Sequence, residues 1–264
     1  MENETEKVTI LKFNDEGRTS TEDVVARESP LTIILNNKEL VTLLCSPNSL
    51  NYLAVGFLYS EGLLKDKDDI KKVTVDDQRG VVRVETTEDR SIADELVFKR
   101  LITSGCGAGA SFYKAADAQD QEKIESGIKI SASEVSSLVR AFQHQSLLYR
   151  ATGGVHSAAL CDTTNILIFA EDIGRHNAVD KIFGECLLKD ITTDGRIIVT
   201  SGRISSEILL KVAKRKIPII ISKSAPTDLA VNLASGLGIT LIGFVRGKRL
   251  NTYTNDWRMT VDKQ

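Results

Sequence analysis

The chain has 264 residues, 42% hydrophobic and 27% charged, which is ordinary for a globular protein able to bury a substantial core; one large domain, or one with a small satellite, fits. Lys and Arg number 34 against 36 Asp and Glu, so a formal charge of −2 excludes the global basic field that drives nonspecific nucleic-acid binding, and any anion site must be local. No run approaches the roughly 20 apolar residues that span a bilayer. The polar, acidic start lacks the pattern of a secretory signal. Four dispersed cysteines (Cys45, Cys106, Cys161, Cys186) fit reduced thiols in the cytoplasm rather than a disulfide framework.

In chain order, residues 8–13, 23–28, 31–35 and 39–44 read as short strands rich in Val, Ile, Leu and Thr. Ser46-Pro47 reads as an N-cap followed by proline at the first helical position, and Leu50, Leu53, Ala54, Phe57 and Leu58 recur at helical spacing. Residues 73–75 and 81–85 form a predicted hairpin. A glycine-rich stretch, Gly105-Cys106-Gly107-Ala108-Gly109, follows a charged segment, and polar residues 115–127 read as a surface linker.

Ser131-Ala132-Ser133-Glu134 fits a capping box opening a helix whose buried stripe is Val135, Leu138, Val139 and Phe142. Strands at 157–161 and 165–171 come next, then a helix from about His176. The last third alternates strand 196–200, helix 205–214, strand 218–222, helix 227–237 and strand 239–245. Such alternation implies a parallel sheet covered by helices, with ligands beyond the carboxyl ends of its strands, where Ser201-Gly202-Arg203, Lys223-Ser224 and Arg246-Gly247-Lys248-Arg249 lie.

Among residues able to carry chemistry, Cys106 stands out for its glycine frame, which leaves a sulfur open to attack; the same frame also suits a tight turn that merely contains a cysteine. Cys45, Cys161 and Cys186 read as small buried hydrophobes. His156 and His176 sit beside glycine turns, consistent with either a structural or a functional imidazole. His144 reads as a helix-end cation with no function. Arg246, Lys248 and Arg249 form either a solvated turn or, together with the start of the helix at Ser205, a phosphate site. The spacing supports no metal site.

Together these segments resemble the FdhD/NarQ family of formate dehydrogenase accessory sulfurtransferases, through residues 103–112, 153–158, 171–181, 200–207, 221–228 and 243–254. Glu171-Asp172-Ile173-Gly174-Arg175-His176-Asn177-Ala178-Val179-Asp180-Lys181 is the most specific of them. The resemblance implies an α/β fold, a mixed β-sheet between helices of cytidine-deaminase-like type, at residues 126–264, with a smaller N-terminal β-rich region, residues 1–125, carrying one helix and the Cys106 loop. It implies a homodimer and a sulfur carrier. Cys106 would take persulfide sulfur from a cysteine desulfurase and pass it to the molybdenum bis(molybdopterin guanine dinucleotide) cofactor, for formate dehydrogenase, with GDP as a fragment ligand.

By the same resemblance, Phe244, Val245, Arg246, Gly247, Lys248 and Arg249 would contact that cofactor, with His156, Arg175 and His176 helping to hold it. Many members carry a second cysteine where Gly109 stands here, so no resolving thiol shares the loop. The alternative is a cofactor-delivering chaperone in which Cys106 is dispensable. A deaminase is excluded, because Ala158 replaces the catalytic Glu two residues after His156 and no P-C-x-x-C is present.

Overall fold

The computed structural model describes residues 3–15, 17–87 and 122–261; Cys106 and its glycine frame lie outside them. The chain starts with a two-stranded hairpin, β1 (Thr5–Asn14) and β2 (Gly17–Ala26). It continues through β3 (Ser29–Leu35), β4 (Lys38–Cys45), helix α1 (Leu50–Glu61), β5 (Ile70–Asp76) and β6 (Val81–Thr86). A four-stranded sheet of order β4-β3-β6-β5 results, with β3 and β6 parallel and the other pairs antiparallel. Leu31, Ile33, Val82 and Val84 alternate onto its inner face and meet Leu53, Ala54, Phe57 and Leu58 of α1.

The predicted helix start is displaced. The N-cap is Ser49, not Ser46, and Ser46 is fully buried, its backbone and hydroxyl engaged by a segment 126 residues away. A local capping signal lost here to a tertiary one. The predicted linker also differs in its described part. Ile124 is buried, its N–H donates to Leu237 O, and its carbonyl accepts from the buried Arg258 guanidinium at 3.2 Å.

β7 (Ile130–Ser131) leads into α2 (Ala132–Gln145), whose capping box forms as read: Glu134 N donates to Ser131 Oγ at 3.2 Å and Ser131 N to Glu134 Oε2 at 2.7 Å. There follow α3 (Leu147–Thr152), β8 (His156–Cys161), β9 (Ile166–Asp172), α4 (Arg175–Leu188), β10 (Ile197–Thr200), α5 (Ser206–Lys214), β11 (Ile219–Ser222), α6 (Asp228–Leu237), β12 (Thr240–Arg246), β13 (Arg249–Thr254) and β14 (Met259–Thr260). A six-stranded sheet has the order β13-β12-β11-β10-β8-β9, with β10, β11 and β12 parallel and the remaining pairs antiparallel.

Alternating side chains of this sheet enter two cores. Ala158, Leu160, Ile198, Ile220 and Leu241 face α4, α5 and α6, while Ala159, Val199, Ile221 and Ile242 face the stripe of α2. The sheet is therefore mixed and covered by helices on both sides. β13, which pairs antiparallel with β12 at its edge, is an element the sequence reading lacks. Among the described residues no helix is long and apolar enough to cross a membrane.

Helices α1 and α4 cross at Gly56 and Gly184. A Cβ on Gly56 would lie 1.8 Å from Asp180 O, and one on Gly184 would lie 1.9 Å from Tyr52 O, so only glycine permits this approach. The contact joins the four-stranded sheet with α1 to the helices under the six-stranded sheet.

Candidate functional site

The strand directions gather the conspicuous loops at one edge. β9, β10, β11 and β12 end there, while β8 and β13 begin there. His156 opens β8 opposite Asp172, the last residue of β9. Ser201 follows β10, Lys223 follows β11, and the Gly247-Lys248 turn joins β12 to β13.

His156 Nδ1 lies 3.2 Å from Ser201 Oγ, which also accepts the Ser157 N–H at 3.0 Å. Arg175, the first residue of α4, packs across Gly202: a Cβ there would stand 3.0 Å from Arg175 Cβ, 3.1 Å from its Cδ and 3.5 Å from His156 Nδ1. His176 Nε2 lies 3.4 Å from Glu207 Oε2. His156, Arg175 and His176, assigned together from the sequence, are thus neighbours.

Burial, then the Arg175 charge, lowers the pKa of His156 against an opposing pull from Asp172. Burial, followed by Lys211, Arg175 and His156, drives His176 down to about 3, so at neutral pH its contact with Glu207 is made by an uncharged ring. A cavity of about 840 Å³ opens beside His156 and Ser201, walled by Arg140, His144, Tyr149, Arg150 and Lys223. The sequence reading gave His144 no role, and Arg140 and Arg150 carry no motif that would have singled them out.

The segment 244–249 lies at the same edge but does not line that cavity. Phe244 adopts φ 52, a left-handed conformation unusual for an aromatic residue; its N–H donates to Ser224 O at 3.1 Å, and the register of β12 against β13 shifts between Gly243 and Arg246. Its ring is exposed, with the Arg246 guanidinium 5.9 Å from the centroid. Gly247, Lys248 and Arg249 are exposed, whereas the Val245 side chain is buried in the core facing α2. Cys45, Cys161 and Cys186 are buried as read, and burial pushes each thiol up to about 12.

A sequence profile of the FdhD/NarQ family matches residues 26–260. The chain belongs to the FdhD/NarQ family. It is 45% identical over 254 residues to the sulfur carrier protein FdhD of Bacillus pumilus, covering 96% of this chain and 97% of that one. It is also 45% identical over 250 residues to that of Bacillus subtilis, covering 95% of each. A solved structure from Desulfotalea psychrophila, described as a formate dehydrogenase accessory protein, matches with a TM-score of 0.80 at 26% identity, over 97% of this chain and 99% of that one.

The stretch that most marks this FdhD/NarQ member, residues 171–181, is also the one that ties the molecule together. Glu171 Oε2 and Oε1 accept the Leu148 and Tyr149 N–H groups at 3.0 Å each, fixing α3 beside the cavity. Buried Asp172 pairs with Lys181 Nζ at 2.7 Å and accepts from Ser46 N, Gly174 N and the Asn177 amide. Asp180 pairs with Lys211 of α5, at 2.6 and 2.8 Å, and accepts from Ser60 Oγ of α1. Burial pulls the pKa of Lys211 down, but Asp180 and Glu61 outweigh it and the ammonium stays charged. Asp172 is thus committed to an ammonium, two backbone donors and a side-chain amide.

His176 gives this family member a pH-sensitive stability. Unfolded, the imidazole takes up its proton near 6.5, while the folded group stays neutral down to about 3. Below pH 6.5 the unfolded state binds the extra proton, so stability falls with pH, at about 1.4 kcal/mol per unit from this group. Between pH 6.5 and 5 the native chain should lose about 2 kcal/mol more than His176→Gln. Urea unfolding of both at the two pH values checks this; equal losses would show that His176 is charged in the fold.

Proposed function

We propose that this protein is a sulfur carrier for a molybdenum enzyme, with Cys106 as the carrying thiol. The observation that carries the reading is the match, over nearly the whole chain at 45% identity, to proteins named as sulfur carriers. The Cys106 thiolate attacks the outer sulfur of a cysteine desulfurase persulfide; one S–S bond forms, the old one breaks, and the desulfurase cysteine leaves as a thiolate. The outer sulfur then passes to the acceptor, which supplies the two electrons that take it to sulfide, and Cys106 returns as a thiolate. No second thiol is needed, which accommodates Gly109.

The acceptor is the molybdenum bis(molybdopterin guanine dinucleotide) cofactor, bound as substrate before it enters formate dehydrogenase, with GDP as its fragment. The strand-end edge suits such an anion, since His156, Arg175, Lys223, Arg246, Lys248 and Arg249 collect there with exposed Phe244. A homodimer, cytoplasmic residence and a cytidine-deaminase-like fold belong to the same proposal; the last is supported by the mixed sheet with helices on both faces.

Incubation with a cysteine desulfurase and cysteine, with intact-mass measurement afterwards, tests it. Wild type should gain one sulfur atom and Cys106→Ala none. An equal adduct on both proteins would move the carrier thiol elsewhere. Absence of an adduct on wild type, with retained ability to support formate dehydrogenase in Cys106→Ala cells, would leave the chaperone alternative.

A further inference from the structure

The hairpin of β1 and β2 stands as a sheet of its own, two strands of 10 residues each. A lone hairpin is marginally stable in water, because no third strand or helix covers an apolar face. Only its root is held: β2 meets α3, and a Cβ on Gly154 would lie 3.3 Å from Ala26 Cβ. Toward the tip, on the same face as Ala26, Leu11 is 53% exposed and Phe13 75%. An apolar stripe thus leaves the body of the protein uncovered.

Hydrogen-bond parity shows which edge of the hairpin is open. Arg27 N donates to Glu4 O at 2.8 Å, and bonded pairs alternate along an antiparallel ladder, so the even-numbered residues of β1 exchange bonds with β2. The backbone groups of Lys7, Thr9, Leu11 and Phe13 therefore point outward, and among the described residues no further strand pairs with them. The outer edge of β2 is partly closed by its own side chain, since the Val24 N–H donates to Asp23 Oδ1 at 2.9 Å. β1 has neither proline nor bulge to blunt it, so its edge accepts another strand.

The sequence of β1 fits a second copy of itself. Antiparallel pairing about Thr9 brings the outward backbone groups of both copies face to face, sets Val8 opposite the partner's Ile10 and sets Glu6 opposite the partner's Lys12. The two-fold repeats each pair, so an apolar centre is flanked by opposite charges on both sides. Lys12 has no ion-pair partner of its own among the described residues, whereas Lys7, which would face the partner's Leu11, already meets Glu22 at 3.7 Å. A slip of one position would oppose Lys7 to the partner's Lys12 and put the outward groups out of register. In the register about Thr9, Phe13 falls opposite the partner's Thr5, at the held end of the partner hairpin.

We propose that two copies of this chain join through β1, edge to edge about Thr9, into one four-stranded antiparallel sheet of order β2-β1-β1-β2. The inference rests on the homodimer reading above and names its interface. Backbone bonds supply the pairing, the Val8 and Ile10 contacts bury apolar surface at its centre, and the Glu6 and Lys12 charges fix the register.

Analytical ultracentrifugation of the full chain tests it, and the wild type should be a dimer. Thr9→Pro removes an outward N–H and spares the bonds to β2, so the hairpin should persist while the dimer dissociation constant rises at least tenfold. Lys12→Glu, which opposes like charges twice, should raise it as much, and mixing that variant with Glu6→Lys should restore a dimer holding one copy of each. Lys12 is an exposed side chain, so this variant keeps the test valid should proline disturb the hairpin. A cross-link fixes the register: Val8 and the partner's Ile10 would have Cα atoms about 4.5 Å apart, within reach of a disulfide. Val8→Cys/Ile10→Cys in a Cys106→Ala background should give a covalent dimer with oxidised glutathione, and Val8→Cys alone should not. A monomeric wild type would reject the homodimer reading and this interface together. A dimeric wild type whose Thr9→Pro and Lys12→Glu variants dissociate no more readily, with no covalent dimer from the cysteine pair, would reject the interface alone.

Discussion

Gly184→Ala should lower the unfolding free energy by about 3 kcal/mol, although alanine gains about 1 kcal/mol over glycine in an ordinary helix interior. The added methyl would lie 1.9 Å from Tyr52 O and 2.7 Å from Gly56 N, where ordinary contact begins at 3.4 Å. Both obstacles are backbone, so no side-chain rotation relieves the clash and α1 must move off α4. That separation would disturb the Asp180 contacts to Ser60 and Lys211, which lie along the same seam. Gly56→Ala, whose methyl would lie 1.8 Å from Asp180 O, should behave alike. Urea denaturation decides: a gain near 1 kcal/mol in either variant would mean that the helices do not approach this closely.

Lys181→Met should cost about 3 to 5 kcal/mol, the range for breaking a buried ion pair from one side. Lys181 is 1% exposed and Asp172 is fully buried. Removing the ammonium leaves Asp172 with only its backbone and amide donors, and frees three acceptors: the Asn48 side chain, Ser46 O and Glu171 O. The double variant Asp172→Asn/Lys181→Met should be more stable than Lys181→Met, because the uncompensated charge has gone. A loss below about 1 kcal/mol in Lys181→Met would show that water reaches the pair. The pair anchors Ser46 and the turn before α4.

Much of the fold was legible where local pattern and tertiary need coincide. The capping box at Ser131 to Glu134 and the stripe from Val135 to Phe142 were read correctly because both are local signals. The parallel order of β10, β11 and β12 came from strand and helix alternation, since a crossover helix places consecutive strands side by side in the same direction. Errors arose where a distant partner outbid a local signal. Ser46 looked like an N-cap but serves the turn at residues 172–173, and Ile124, in a polar stretch, is held by Arg258 and Leu237.

Residue order alone was enough to show that this is an α/β protein of the FdhD/NarQ family and that Cys45, Cys161 and Cys186 are core residues. Those facts are carried by periodicity, by residue type and by the motif at 171–181, all of which are written along the chain. Three-dimensional packing was required to see that Asp172 and Lys181 neutralise each other while Arg175 has no counter-charge among the described residues, and that Arg140, Arg150 and Lys223 wall a cavity beside His156 and Ser201. Which charges cancel depends on which side chains the fold brings within a few ångströms of one another, and charged residues look alike in sequence whether or not they are paired.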